Sequence, residues 1–313
     1  MMPPVAVLTL NPSLDVSYEV SRLVPDEKSR ATHTRYDPGG NGVNVGRTLK
    51  ILEVPAKSFT LVAGEIGLFL EHALEREVDA SHCIHIPGET RVNCTLIQVD
   101  PRLQYEVTAS GPEVPAAALE RIRTEFVEAA GDGFGVLTGS LPPGVPPETY
   151  ATWVEQLRAR GARAVVDAQP AYLGRALAAE PFLIKPNRHE LEMLCGTSLT
   201  TPDAVLRTAR HVQQRGVTWV CVSLGAEGAI LVGPRAAFLA TAPRITVRST
   251  VGAGDAMLAG LVAGFVTSGD PVTALRTGVA CGSGSATHPG TMLCTRADVE
   301  RLQALVEVRG IAD

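Results

Sequence analysis

Four apolar runs in the middle of the chain limit its fold more than any other feature. They are Phe134-Gly135-Val136-Leu137, Ala164-Val165-Val166, Phe182-Leu183-Ile184 and Trp219-Val220-Cys221-Val222. Each run is continuous rather than alternating, so its side chains must be covered on both faces of a sheet. Stretches with helical spacing lie between them. After Pro146-Pro147, the residues Tyr150, Val154 and Leu157 fall on one face, and Gly161 stops the helix. After Thr201-Pro202, the buried face is Val205, Ala209 and Val212, with Gly216 as the stop. Doubly buried strands separated by helices predict an α/β sandwich around a parallel sheet.

Two stretches break this rhythm. Residues 16–36 and 90–108 read as β-ribbons; in the second, polar and apolar residues alternate from Thr90 to Val99, and Asp100-Pro101-Arg102 supplies a turn. These stretches predict a small sheet projecting from the body as a lid. No internal repeat or linker divides the chain, so residues 1–313 are expected to form one domain carrying that lid. Exposed ribbon edges need covering, which predicts a homodimer through the lid.

Composition narrows the class. A hydrophobic content of 45% with a net charge of -5 excludes disorder and argues against nucleic-acid binding. Six cysteines without a C-x-x-C pair argue against a zinc site and suit free thiols in a reducing compartment. The N-terminus has no basic segment ahead of its apolar run. The longest other apolar stretch, residues 256–266, is too short for a bilayer, which needs ~20 residues. A cytoplasmic protein is expected.

In a parallel α/β sheet, ligands bind beyond the carboxyl ends of the strands. Here Leu137 hands over to Thr138-Gly139-Ser140, Val166 to Asp167, Ile184 to Lys185-Pro186-Asn187-Arg188-His189-Glu190, and Val222 to Ser223-Leu224-Gly225. Polar residues at four successive strand ends point to a site. The strongest motif is Ser249-Thr250-Val251-Gly252-Ala253-Gly254-Asp255, which runs into an apolar helix. Its glycines allow a sharp turn, and the opening amides of the helix favour an anion such as a transferring phosphoryl group. Asp255, in the first turn, is expected to stay ionised in the helix field and to take a proton from an attacking hydroxyl. A helix-capping Asp behind a glycine turn is the plainer alternative. A second cluster, Gly39-Gly40-Asn41-Gly42-Val43-Asn44, also precedes a helical stretch. Bare backbone at Gly39 and Gly40 would let a polyol lie against the chain, with Asn44 bonding its hydroxyls; a tight strand-to-helix connection explains the cluster equally well. Asp15 is read as a sugar-hydroxyl ligand or a turn residue. No Walker P-loop, complete G-x-G-x-x-G, H-E-x-x-H or G-x-S-x-G pattern is present.

Six ordered motifs then carry a resemblance over nearly the whole chain. They are Thr9-Leu10-Asn11-Pro12-Ser13-Leu14-Asp15, the Gly39-Gly40-x-Gly42-x-Asn44 cluster, Thr138-Gly139-Ser140-Leu141-Pro142-Pro143-Gly144, Lys185-Pro186-Asn187-x-x-Glu190, Val222-Ser223-Leu224-Gly225-Ala226-x-Gly228 and Val251-Gly252-Ala253-Gly254-Asp255. The sequence resembles the ribokinase-like (phosphofructokinase B) sugar kinases, in the branch of minor 6-phosphofructokinases, 1-phosphofructokinases and tagatose-6-phosphate kinases. The resemblance implies a three-layer α/β/α sandwich with a mostly parallel central sheet and a small β-sheet lid. It implies ATP- and Mg²⁺-dependent phosphorylation of a sugar-phosphate hydroxyl, and leaves activation by K⁺ open. Asp255 would be the base, and the amides from Gly252 through Ala253 to Gly254 the anion hole. Asn187 and Glu190, three apart on one helix face, would organise Mg²⁺ through water. Lys185 would contact the nucleotide phosphates, and Ser223, Gly225, Gly228 and Thr250 would line the nucleotide site. Asp15, Gly39, Gly40, Asn44 and Asn93 would hold the sugar, and Lys28, Arg30 and Arg91 its phosphate.

Two departures stand out: Asn41, where the branch has Lys or Gly, and Glu53, where a Gly is expected after Leu52. Fructose 6-phosphate is the expected acceptor, with fructose 1-phosphate or tagatose 6-phosphate as alternatives. A non-catalytic sugar-phosphate sensor is the alternative of another class. The intact Gly-Ala-Gly-Asp motif and the Asn187/Glu190 pair argue against it.

Overall fold

A computed structural model describes residues 2–312. The expected extent of 1–313 includes Met1 and Asp313, which lie outside the described residues. From the N-terminus, β1 (Val5–Thr9) leads into β2 (Ser13–Val20) and β3 (Ala31–Gly39). Then come α1 (Asn41–Ile51), β4 (Lys57–Ala63), α2 (Gly64–Glu77), β5 (Ala80–Ile86), β6 (Arg91–Gln98) and β7 (Leu103–Val107). The central part holds α3 (Ala116–Ala130), β8 (Phe134–Thr138), α4 (Thr149–Ala159), β9 (Arg163–Asp167), α5 (Pro170–Ala176), β10 (Leu183–Ile184), α6 (Arg188–Cys195), α7 (Pro202–Gln213) and β11 (Trp219–Ser223). The chain ends with β12 (Ala229–Val232), β13 (Ala237–Thr241), α8 (Ala253–Ser268), α9 (Pro271–Ala286), α10 (Arg296–Gln303) and β14 (Glu307–Ile311).

Ten strands form the main sheet in the order β14-β13-β12-β11-β10-β9-β8-β1-β4-β5. It is parallel from β11 to β5, and the other end closes with the antiparallel strands β12, β13 and β14. The continuous apolar runs are the buried central strands, as their pattern requires. Side chains alternate between two cores. Leu8, Leu137 and Val166 pack with α3, α4, α5 and α7 on one face; Val7, Val136 and Val165 pack with α1, α8, α9 and α10 on the other. The three-layer sandwich is therefore present. Two local expectations shift. The helix after Pro146-Pro147 starts only at Thr149, because those prolines sit in the preceding turn. Phe182 precedes β10 rather than belonging to it.

Helix α8 is buried along nearly its whole length, between the sheet and α9. Two glycines make this possible. A Cβ on Gly260 would stand 2.7 Å from the Thr277 carbonyl oxygen, and one on Gly264 would collide with the Ala274 backbone. The two helices therefore meet backbone to backbone, which anchors the N-terminus of α8 at the carboxyl edge of the sheet.

The lid is a separate four-stranded sheet in the order β3-β2-β6-β7. The β6–β7 hairpin turns where Asp100-Pro101 predicted; β2 and β6, the inner pair, run parallel. Cross-strand partners share a face. Tyr36, Val16, Cys94 and Val107 form one row, and Tyr18, Leu96 and Tyr105 the next. The opposite face carries Asp15, Asp37 and Asn93. One polar latch ties that face to the body. Asp37, buried, takes Nε–H and Nη2–H bonds from Arg35 at 2.8 and 2.7 Å, and the Thr291 hydroxyl donates to its Oδ2 at 2.6 Å. Among the described residues, no helix is long and apolar enough to cross a membrane.

Candidate active site

The carboxyl ends of β8, β9, β10 and β11 open into a cavity of about 880 Å³, roofed by the lid residues Asp15, Arg91 and Asn93. A second, more apolar cavity of about 570 Å³ is lined by Ala226, Pro243, Ile245, Met257 and Val279. Ser223, Gly225, Thr250 and Gly254 belong to the walls of both. One space therefore has a polar chamber, an apolar slot and a glycine turn between them.

Gly252 is the N-cap of α8, with φ of 74°, a left-handed value that favours glycine. The Ala253 N–H makes a long 3.3 Å bond to Thr250 O, and the other amides that open a helix lack intrahelical partners. Asp255 sits in the first turn, buried. The Asn41 and Asn44 carboxamides donate to its Oδ1 and Oδ2, each at 2.8 Å. Burial pushes the Asp255 carboxyl up to about 6; the Asn44 bond opposes this, Asp167 adds to it, and the Asn41 bond and Lys185 oppose it. A carboxyl raised to about 6 is still mostly ionised at neutral pH, and it holds its proton more readily than an exposed one.

Lys185 is almost wholly buried, and its ammonium lies 3.1 Å from Asp167 Oδ2. Burial alone would pull Lys185 down, but Asp167, Glu190 and Asp255 outweigh it and hold the pKa above the ordinary lysine value. Burial pushes Asp167 up, against the pull of Lys185. Lys185 therefore stays charged, and a Cβ on Gly254 would stand 3.5 Å from its Nζ. An anion held at the α8 amides would lie beside it.

Asp15 is not a turn residue; it lies in β2. Its Oδ1 accepts from Ser13 Oγ at 2.7 Å and from Asn93 Nδ2 at 2.9 Å, and burial raises its pKa. Gly39 has no Cβ where the Asp15 carboxylate stands, so that carboxylate packs directly against the Gly39 backbone. Gly40, with φ of 112°, lines the chamber. Asn44, expected to hold sugar, lines the chamber, and its Nδ2 donates to Asp255 Oδ2. Arg91 lines the chamber but spends three N–H groups on the carbonyls of Pro12, Ala109 and Asn11, at 3.3, 3.1 and 2.8 Å. Lys28 and Arg30 stand exposed in the β2–β3 connection, outside the cavity wall.

Asn187 and Glu190 form a capping box. Asn187 Oδ1 accepts the Glu190 N–H, and Glu190 Oε2 accepts the Asn187 N–H, each at 2.8 Å. Asn187 is thus the N-cap of α6 rather than a neighbour on its face. Among the described residues, no group of three or more acidic, His or Cys side chains is arranged to hold a metal ion. Gly228, with φ of 104°, lines the apolar slot, and a Cβ there would collide with Ala240 O. The departure at position 53 also has a structural side: Glu53 carries φ of 57°, where glycine would sit without strain. Sequence reasoning missed Asn41 as a partner of Asp255, although its departure from the branch pattern was the available signal. It also missed the Arg35–Asp37–Thr291 latch, for which no local signal exists.

Residues 8–298 match the pfkB family carbohydrate kinase. The chain is 32% identical to a 1-phosphofructokinase of Bacillus subtilis over 96% of this chain and 98% of the relative. It is 33% identical to an ATP-dependent 6-phosphofructokinase isozyme 2 of Mycobacterium tuberculosis, over 96% and 88%. It superposes on the crystal structure of phosphofructokinase-2 from Escherichia coli in complex with potassium, with a TM-score of 0.92 and 30% identity, covering 97% of this chain and 99% of that one. The glycine turn, the buried carboxylate and the two-part cavity thus come with a match that spans most of the sequence, and the chain belongs to the pfkB family of carbohydrate kinases.

Proposed function

We propose that the chain transfers the terminal phosphoryl group of ATP to the free primary hydroxyl of fructose 6-phosphate, giving fructose 1,6-bisphosphate. The observation that carries this reading is Asp255, a carboxylate with a raised pKa on a helix whose opening amides lie between a polar chamber and an apolar slot. The base fits the apolar slot, and Ser223, Gly225, Gly228 and Thr250 flank the nucleotide. The phosphates run toward Lys185, with Asn187 and Glu190 meeting the nucleotide's Mg²⁺ through water. Asp15 and Asn93 hold the sugar hydroxyls, and the uncommitted N–H groups of Arg91 face its phosphate. The acceptor proton passes to Asp255 as the new O–P bond forms. The bond to the β-phosphate oxygen breaks, and ADP leaves. The α8 amides hold the charge on the group in transit, so the work is positioning and charge neutralisation.

The second reading is a 1-phosphofructokinase, favoured by the likeness to the Bacillus subtilis protein. ADP release with ATP and Mg²⁺, with and without K⁺, decides between them across fructose 6-phosphate, fructose 1-phosphate, tagatose 6-phosphate and unphosphorylated sugars. The highest kcat/KM is expected for fructose 6-phosphate. A preference for fructose 1-phosphate selects the second reading, and no turnover with any acceptor selects the sensor. A single kinase domain in the cytoplasm is part of the proposal, in keeping with its free cysteines.

The same proposal includes a homodimer through the lid. Tyr36, Val92, Tyr105 and Val107 are 40 to 67% exposed on or beside its apolar rows, and β3 and β7 are open edges. Light scattering at micromolar concentration should give twice the chain mass, and a monomer would refute this assembly.

A further inference from the structure

The two oxygens of Asp255 are not held by equivalent partners. Asn44 lies inside α1, buried, with its carbonyl accepting from the Thr48 hydroxyl at 2.8 Å. Its side chain is buried, and its own Oδ1 has no partner. Asn41 opens α1 on the exposed rim of the chamber. Gly139, with φ of 93°, makes room for it: a Cβ there would stand 3.2 Å from Asn41 Oδ1. Each carboxylate oxygen has lone pairs for more than one donor, so a sugar hydroxyl can join one of these bonds without breaking it. Oδ1, whose partner Asn41 stands on the open rim, is the oxygen such a hydroxyl can reach.

We propose that Asn41 is a positioning residue, a clamp that fixes the Asp255 carboxylate before the sugar arrives and holds Oδ1 toward the acceptor hydroxyl at the chamber rim, while Asn44 holds Oδ2. The inference rests on the reading of Asp255 as the base and adds a residue that the branch pattern does not supply. In the clamp both oxygens accept N–H bonds, which favours the ionised form. The charged groups that bear on Asp255 from the other elements are Asp167, at the end of β9, and Lys185, after β10; these stay in place when Asn41 is changed.

The test is a ¹³C-carboxyl NMR titration of the full chain, with the Asp255 resonance assigned by its loss in Asp255→Asn. It is paired with pH profiles of kcat/KM for the sugar phosphate. In Asn41→Ala the Asp255 midpoint should rise by about half a unit to one unit. In Asn41→Asp it should rise further, because a like charge replaces the donor. The acid limb of kcat/KM should move by the same amount, with the KM for ATP unchanged. Midpoints equal to wild type in both variants overturn the clamp whether or not the chain turns over a sugar. A pH-independent fall in kcat also overturns it. Absence of turnover in the wild type sinks the kinase reading alone, since the titration still decides the clamp.

Discussion

Replacing Asp255 by asparagine should make the protein more stable and nearly inactive at once. The carboxyl is raised from 3.8 to about 6 by burial. The native state therefore holds this proton more tightly than the unfolded chain does. Its contribution to stability is fully present below pH 3.8 and is lost as pH rises through about 6. A shift of that size amounts to about 3 kcal/mol against the ionised wild type at pH 8. The asparagine side chain carries no charge at any pH and escapes this penalty. It can offer one carbonyl oxygen where the carboxylate offered two acceptors, so one of the donors from Asn41 and Asn44 loses its partner, at a cost of roughly 1 kcal/mol. The net gain is about 2 kcal/mol. With an unfolding entropy of roughly 2 cal/mol/K per residue, a chain of this length should melt about 3 °C higher. Calorimetry at pH 8 and at pH 4.5 measures it: the variant's advantage should be largest at pH 8 and mostly gone at pH 4.5. Turnover should fall about 10²- to 10⁴-fold with nucleotide binding retained. A variant that melts at or below the wild type at pH 8, with no pH dependence in the difference, would refute the account of the buried charge. Near-normal turnover would refute Asp255 as the base.

Lys185→Met removes the cation that faces Asp167 and lowers the Asp255 pKa. The acid limb of the pH profile should move to higher pH, and the KM for ATP should rise about 10- to 100-fold, the scale of a charged hydrogen bond; an unmoved KM would remove Lys185 from the phosphate path. Gly264→Val drives a branched side chain into the Ala274 backbone. It should cost about 3 kcal/mol or more, a melting temperature lower by about 5 °C, and turnover should fall with it; a wild-type melting curve would mean that α8 and α9 separate readily.

The main architecture was legible because it depends on local patterns. The continuous run Trp219-Val220-Cys221-Val222 could only be a doubly covered strand, and the alternation around Asn93 could only be a half-exposed ribbon. The glycine turn before Asp255 was likewise visible, since turn and helix start are contiguous. What escaped depends on distant partners. Asn44 and Asp255 are 211 positions apart, so nothing near either residue tells that one holds the other. The packing of Asp15 against Gly39 could not be read because the two residues come from neighbouring strands. The pKa of Asp255 could not be read because the helix start is local and visible, whereas burial is a property of the whole fold. Asn187 and Glu190 carried a readable signal of another kind: an N-x-x-E pattern ahead of an apolar residue is a capping box, and that structural duty coexists with any metal role.

The backbone contact between α8 and α9 bears on how this enzyme could be adapted. Gly260, Gly264 and Gly278 leave no slack between the two helices, so α8 can neither slide nor rotate without opening the core. Asp255 therefore stands on a fixed post, and a new substrate has to be brought to it. Variation that retunes sugar choice should accumulate in the lid and the β2–β3 connection, where side chains change without disturbing the post. Selection from a random library would be expected to leave the three glycines untouched while the roof over the chamber diversifies.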